Sequence, residues 1–409
     1  MKVKNELHIL TVLIYVILIS GIILCTPLFA AEPKPGDVIN ASNIEQYKDY
    51  FPEFLARFIR DGAGFIDPLV INVREAEEYF PTKAFVCASQ KNKDKFSIDN
   101  EGNIAGDWKS GTPFPDPTEP NMAEKLMWNN YYRWRGDDFH YQPSGWVQVK
   151  KRKGGSCSSN GMSNFYLYFQ NRTAVEPIPD LPNQNKLFMV FTLNTISGPS
   201  KDLNFLVWRY ADPAKADDMW AYVPTLRRSI RMMSSERSNP VQNMATTWDD
   251  FYCFDGKIHE FRYKYLGKFK NLVLTHHKTM ANGEYFNGFP GPIACLDPWE
   301  LWNTYKIEIT AKNSRYPESK RILSIIDNIY YSHCAEVYDK NGTFWRGLWA
   351  GYSYQKTEQG EYGPFMTASS CSDFKTEYWG SQHLRDEPVI NSGLTQEMFS
   401  PGLFGIGIK

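Results

Sequence analysis

The strongest constraint on this fold is a long run of two-residue alternation between residues 203 and 266. Leu203, Phe205 and Val207 alternate with Asp202, Asn204 and Leu206. Trp208-Arg209-Tyr210 then leads into the turn residues Ala211-Asp212-Pro213, and Met219-Trp220-Ala221-Tyr222-Val223 restarts the chain as a strand. After a basic loop and an Asp255-Gly256 turn, His259, Phe261, Tyr263 and Tyr265 alternate with Glu260, Arg262 and Lys264. Successive side chains of a strand point to opposite faces, so the pattern predicts an antiparallel sheet with an aromatic inner face. Phe205, Val207, Trp220, Tyr222, Phe261 and Tyr263 are the expected wall of a ligand hollow. Such a wall would bind an aliphatic or polycyclic guest by area burial, at about 25 cal/mol per Å². Arg227-Arg228-Ser229-Ile230-Arg231 is the densest arginine cluster. Arg227, Arg228 and Arg231 are candidate contacts for an anion or lipid headgroup, or else a solvated face with partners such as Glu236.

The same period recurs downstream and upstream. Residues 146–149, 165–169 and 187–191 read as strands. The last two are apolar on both faces, so a helix, a loop or a ligand must cover the second face. Tyr305, Ile307, Ile309 and Ala311 alternate with polar neighbours, and residues 320–326 are expected to pair with them. Asn341-Gly342 between two strand-like runs predicts a hairpin with positive φ at both residues. Helices are expected over residues 44–60, despite Pro52, and over 121–135. The organisation predicted is one domain over 31–409. A helical extension occupies about 37–110, and an aperiodic tail begins near 366.

Residues 1–30 read as a secretory signal peptide: Lys2 and Lys4, then an apolar run from 9 to 25, then Ala30 and Ala31. The rival is an uncleaved anchor, since the run is near membrane-spanning length. Lipid attachment at Cys25 is disfavoured by Leu24, where a small residue is required. Six cysteines remain beyond the leader, Cys87, Cys157, Cys253, Cys295, Cys334 and Cys371. In an exported chain that count predicts up to three disulfides, with free buried thiols as the alternative. A net charge of −1 over 409 residues leaves no electrostatic footprint for nucleic acid.

Catalytic spacings are sparse. His276 and His277 are adjacent, so on a strand they would face opposite ways, and no His-Glu-x-x-His frame is present. No Cys-x-x-Cys pair offers a zinc site. The acid pairs Asp137-Asp138, Asp217-Asp218 and Asp249-Asp250 read first as turn or cap residues. No cofactor is implied, although glycosidase-type carboxylate pairs are invisible at this level.

Several motifs together resemble the exported bacterial family called domain of unknown function 1329. They are GTPFPDP at 111–117, Tyr131-Tyr132-Arg133-Trp134-Arg135-Gly136, Trp208-Arg209-Tyr210, Tyr222-Val223-Pro224 with Arg227-Arg228, Asp249-Asp250-Phe251, and Phe254-Asp255-Gly256 leading to Tyr263-Lys264-Tyr265-Leu266-Gly267. Tyr316-Pro317, Ser319-Lys320-Arg321, Tyr338-Asp339 and Gly342 complete the set. The resemblance implies the fold of the lipoprotein-localisation factors (LolA/LolB type). That is a strongly curved, open antiparallel sheet, an incomplete β-barrel of α+β class, with helices on its concave side. It further implies a periplasmic carrier or chaperone for a lipid, sterol-like or hydrocarbon-derived molecule. Implied partners are a resistance-nodulation-division-type exporter and an outer-membrane protein. The alternatives are an envelope sensor or interaction module and a glycan or lipid hydrolase.

Overall fold

Runs rich in β-branched and aromatic side chains form the strands that dominate the secondary structure of the described residues. The computed structural model describes residues 31–150, 157–241, 245–277, 297–384 and 386–401, with the side chains of 142–150, 157 and 159 excepted. The leader therefore lies outside the described residues. The N-terminal part carries β1 (Val38–Ile39), β2 (Ile71–Arg74), β3 (Ser97–Ile98) and β4 (Ile104–Ala105). Then follow β5 (Asp138–Lys150), β6 (Cys157–Tyr168), β7 (Leu187–Ser197), β8 (Asn204–Tyr210), β9 (Asp218–Val223) and β10 (Arg228–Met232). The second half holds β11 (Phe261–Val273), β12 (Trp299–Ala311), β13 (Glu318–Ile326), β14 (Ser332–Asp339) and β15 (Phe344–Lys356). It closes with β16 (Tyr362–Asp373), β17 (Tyr378–Leu384) and β18 (Val389–Ile390). The α-helices are α1 (Ile44–Tyr47), α2 (Glu53–Asp61), α3 (Lys83–Gln90) and α4 (Met122–Tyr131).

Apart from the β3–β4 hairpin, these strands form one sheet in the order β1-β2-β12-β13-β14-β15-β16-β17-β5-β6-β7-β8-β9-β10, with β11 beside β12 and β18 beside β5. Its pairings are antiparallel except for the short β2–β12 contact. The curvature can be read from the segment that follows β10. Trp248 packs its ring 4.9 Å from Phe205 on β8. Two residues later Asp250 is 2.7 Å from Arg321 on β13. Strands eight places apart in the order thus meet one short segment, so the sheet wraps around it. The sheet is open and curved, not closed into a barrel.

Three apolar layers follow from this. The inner layer joins α4 and Trp248 to inward residues of nearly every strand. A second layer packs α2 on the other face of β12–β17. Pro52 does not interrupt α2; it precedes the helix as its extended N-terminal cap, where a missing N–H costs nothing. The break before it divides the expected 44–60 helix into α1, a 3₁₀ turn and α2. Phe54 of α2 lies over Gly347, whose added Cβ would stand 2.4 Å from the Phe54 ring. Gly347→Val is therefore expected to lower stability by about 1–3 kcal/mol through overpacking. An unchanged denaturation midpoint would contradict that packing. The third layer lies outside β6–β9, where Phe165, Leu167, Phe169, Leu187 and Val190 are buried beneath Phe399, with Leu394 and Met398 alongside. The second apolar face of β6 and β7 is thus covered by the C-terminal segment.

The structure corrects four expectations. The tail from 366 carries strands β16 and β17, each buried on both faces, so neither shows alternation. The 37–110 extension is not wholly helical, because β1 and β2 continue the main sheet. In the β14–β15 hairpin only Gly342 has positive φ, at 75°. The Asp339 carboxylate accepts from the Asn341 and Thr343 N–H groups at 2.8 and 2.9 Å, shaping a three-residue loop that ends on a left-handed glycine. Cys87, Cys253, Cys334 and Cys371 are free thiols, so three disulfides cannot form. Cys157 and Cys295 fall outside the described side chains. No described helix is long and apolar enough to cross a membrane.

Candidate ligand-binding face

Register decides which predicted wall residues meet. Phe205 pairs with Ala221 and Val207 with Met219, and directly opposed residues share a face. Phe205, Val207, Met219 and Ala221 therefore line the inner side. Trp220 and Tyr222 are corrected to the outer side, where Trp220 packs 5.2 Å from Trp208. Aromatic content had suggested the wrong phase of β9. The residues 259–265 do not join β8 and β9 as a third strand. Residues 258–260 form a 3₁₀ turn, and β11 pairs with β12 at the other end of the sheet. Phe261 and Tyr263 still reach the inner layer from there. Phe261 packs 5.1 Å from Phe254 and 5.3 Å from Tyr316. The inner aromatic face is thus occupied by the protein's own Trp248, Phe254 and α4.

Arg227, Arg228 and Arg231 do not lie against this face, and only Arg227 is in a turn. It ends the turn before β10, while Arg228 and Arg231 lie within that edge strand, and all three side chains are exposed. Arg231 pairs with Asp218 across the hairpin, not with Glu236.

The inner side holds a charged network that the sequence reading missed. Arg209 is in phase with Phe205 and Val207, Arg321 with Leu323 and Ile325, and Arg346 with Leu348 and Ala350. An arginine in phase with a buried row must face inward, and that was the signal available. Arg209 donates from Nε to Asp217 Oδ2 at 3.1 Å, and Arg237 donates to the same oxygen at 2.8 Å and to Asp249 Oδ1 at 2.9 Å. Lys257 Nζ stands 3.3 Å from Asp217 Oδ1. In a second cluster Asp250 accepts from Arg321 at 2.7 Å and from Arg346, while Glu318 Oε1 accepts from both arginines at 2.6 Å. All four arginines are at least nine-tenths buried. Burial pushes the Asp217 carboxyl up, but Arg209, Arg237 and Lys257 outweigh it and hold it below its ordinary value. The same balance, set by Arg346 and Arg321, holds Asp250 down.

These groups tie residues 245–257 to both ends of the curved sheet. With every carboxylate engaged by a guanidinium, the network is a clasp and offers no free acid or base. The other acid pair also has a structural duty. Asp137 accepts from the Thr173, Ala174 and Val175 N–H groups, and Asp138 from the Ser392 and Gly393 N–H groups. His276 and His277 are not on a strand and diverge. His276 Nδ1 is 2.7 Å from Glu300 Oε1, and His277 Nδ1 is 3.3 Å from Thr367 Oγ1.

Beside the clasp opens a cleft of about 500 Å³. Phe261 and Ala311 form its apolar side, Arg237, Asp249 and Tyr316 its polar floor. The Tyr316 hydroxyl donates to Asp249 Oδ2 at 2.9 Å. Lys312 and Arg315 are exposed at the rim. A second cavity of about 310 Å³ lies between the outer face of β7–β8 and the C-terminal segment, lined by Leu187, Val190, Trp208 and Phe399 among others.

The profile of the family described as "protein of unknown function (DUF1329)" matches residues 38–402. A Vibrio parahaemolyticus domain described as an outer membrane lipoprotein-sorting protein is similar in structure. The identity is 15% and the TM-score 0.50, covering 70% of this chain and 99% of that one. A DUF1329 family protein from Desulfovibrio piger aligns at 15% identity and TM-score 0.46, over 65% of this chain and 90% of its own. A LolA superfamily protein from Nitrosomonas europaea aligns at 11% identity and TM-score 0.37, over 66% and 93%. The first alignment supports a common fold. A comparison with curated proteins returns no match.

Proposed function

The chain belongs to the DUF1329 family, and from that premise we propose that it is a periplasmic carrier or chaperone for a hydrophobic or amphiphilic molecule. The observation that carries this reading is the half-apolar cleft of about 500 Å³ between the clasp and the β11–β12 end of the sheet. Its size falls in the usual range of small-molecule sites, and apolar walls with a few convergent polar groups are their usual lining. Phe261 and Ala311 would take the apolar part of the guest. The rim cations Lys312 and Arg315 would take an anionic head.

The other predicted wall residues play a smaller part here. Phe205 and Val207 are already packed, and a long acyl chain would reach them only by displacing Trp248. The exposed Arg227, Arg228 and Arg231 suit contact with an anionic membrane surface during transfer. The resemblance extends the proposal to an exporter of resistance-nodulation-division type and an outer-membrane protein as partners. A second reading, an envelope interaction module, is favoured by the filled inner face. It predicts a tight protein partner and no lipid.

Two measurements separate them. Native mass spectrometry of protein taken from its own envelope should show a bound amphiphile. Titration with a fluorescent fatty acid should then show Ala311→Trp binding at least ~10-fold more weakly, a difference of about 1.4 kcal/mol, with an unchanged melting temperature. No bound lipid, together with equal probe titration of both proteins, would leave the interaction module standing.

A further inference from the structure

Directly after α4 the motif Tyr131-Tyr132-Arg133-Trp134-Arg135-Gly136 runs through the interior. Tyr131, Arg133 and Arg135 are 6%, 3% and 5% exposed. Together with Asp137, Tyr168 and Phe188 they line a small cavity of about 10 Å³. That is about the room a single water-sized particle needs.

The Gln170 and Asn171 amides also line the cavity, yet three of its side chains carry buried donors without a partner. Arg133 Nη1 donates to the Asn130 carbonyl, but its Nε and Nη2 have no partner. Arg135 donates from Nη2 to the Tyr131 carbonyl at 3.1 Å and from Nη1 to the Tyr168 hydroxyl at 3.3 Å, leaving Nε without one. The Tyr131 hydroxyl is also unpartnered. Asp137 cannot serve, because its carboxylate is spent on the N–H groups of 173–175.

Charge is unbalanced in the same place. Among the described residues Arg133 has no ion pair; it lies 4.4 Å over the Tyr252 ring and 5.5 Å from that of Tyr331. Arg135 has only Asp255, at 4.0 Å, which is nearer to Arg209 at 3.0 Å. Asp217, Asp249 and Asp255, with Asp137 and Asp138 nearby, are five buried carboxylates facing six buried cations: Arg133, Arg135, Arg172, Arg209, Arg237 and Lys257. Asp250 and Glu318 are matched by Arg321 and Arg346 and lend nothing. A guanidinium does not lose its proton in a protein, so the surplus must be met by an anion or borne as a cost.

We propose that this cavity is a binding site for one halide-sized anion, chloride in the cell, held by Arg133, Arg135 and Tyr131. Chloride accepts several N–H and O–H bonds at once and brings no further proton to the unpartnered donors of Arg133, Arg135 and Tyr131. Water would satisfy fewer donors and leave the charge unbalanced. Phosphate and carboxylate groups exceed the space. The ligating groups of Tyr131, Arg133 and Arg135 lie outside the 500 Å³ cleft, so the site can be tested apart from the carrier reading, although its charge balance includes Arg237 and Asp249 of the cleft floor.

The test uses the full chain. Melting temperature is followed against chloride, bromide and gluconate at constant ionic strength. A rise on the order of 2 °C per tenfold halide above the dissociation constant is expected, with no effect of gluconate. Crystals grown in bromide should show an anomalous peak in the cavity beside Arg133. Arg133→Met should abolish the halide dependence. No halide effect on the wild-type protein and no bromide peak would overturn the site and assign the cavity to water. The bromide experiment needs no variant, so it decides the question even where Arg133→Met folds poorly.

Discussion

Melting temperatures measured from pH 8 to pH 3 are expected to fall in two steps, the first of them carried by histidine. His277, His333 and His383 are 1%, 3% and 2% exposed. Burial pushes the His277 imidazole down to about 4; Asp297 Oδ2, 3.6 Å away, is too far for a hydrogen bond. Burial and then Lys306 push His333 down to about 3, and burial with His277 nearby pushes His383 well below its ordinary value. In the unfolded chain each imidazole takes up a proton near pH 6.5, while in the folded chain it stays neutral until far lower. Protonation therefore favours the unfolded state from about pH 6.5 down to the folded values, and stability is full only above 6.5. At roughly 1.4 kcal/mol per pH unit, His277 alone removes about 3 kcal/mol by pH 4, and His333 somewhat more by pH 3. Below about pH 4 a second step follows, as Asp217, Asp250 and Asp255, all held down by arginines, lose their ion pairs. His333→Phe should flatten the first step measurably. A melting temperature that does not change between pH 7 and pH 5 would show that these imidazoles are already solvated.

Asp250→Asn is expected to cost about 3–5 kcal/mol. The carboxylate sits between Arg321 and Arg346 and also accepts from the Thr247 N–H at 2.7 Å. Asparagine preserves its volume but leaves two buried guanidiniums with Glu318 as the remaining counter-charge. The loss belongs to the orphaned cations, not to the worth of the pairs. A fourfold variant, Asp250→Leu, Glu318→Met, Arg321→Met and Arg346→Leu, removes the whole cluster and should recover most of the stability. Urea midpoints at constant slope measure both. A loss below 1 kcal/mol for Asp250→Asn would mean that water reaches the cluster, and the clasp would then not hold residues 245–257 closed. If the fourfold variant folds, its lipid uptake reports whether the clasp gates the inner face.

Much of the architecture was legible because its causes are local. Alternation at 203–207 and 305–311, and the glycine of the 339–343 loop, follow from two-residue geometry and a left-handed turn, which neighbours in the chain dictate. The family motifs were legible for the same reason. The predicted wall was only half right because register is not local. Whether Met219 and Ala221 or Trp220 and Tyr222 meet Phe205 and Val207 depends on which residues pair across the β8–β9 hairpin. The partner of β11 lies beyond residue 298.

By itself, the order of residues determined an antiparallel sheet and put Arg209, Arg321 and Arg346 in phase with its apolar rows. Only the tertiary structure decided what those arginines meet. Asp250 comes from a segment far along the chain from Arg321 and Arg346, and Asp255 from one far from Arg209, so a carboxylate finds its guanidinium through space. The filling of the inner side by Trp248 and Phe254 was decided the same way, since a segment buries its aromatic rings wherever the folded sheet leaves apolar area open to water.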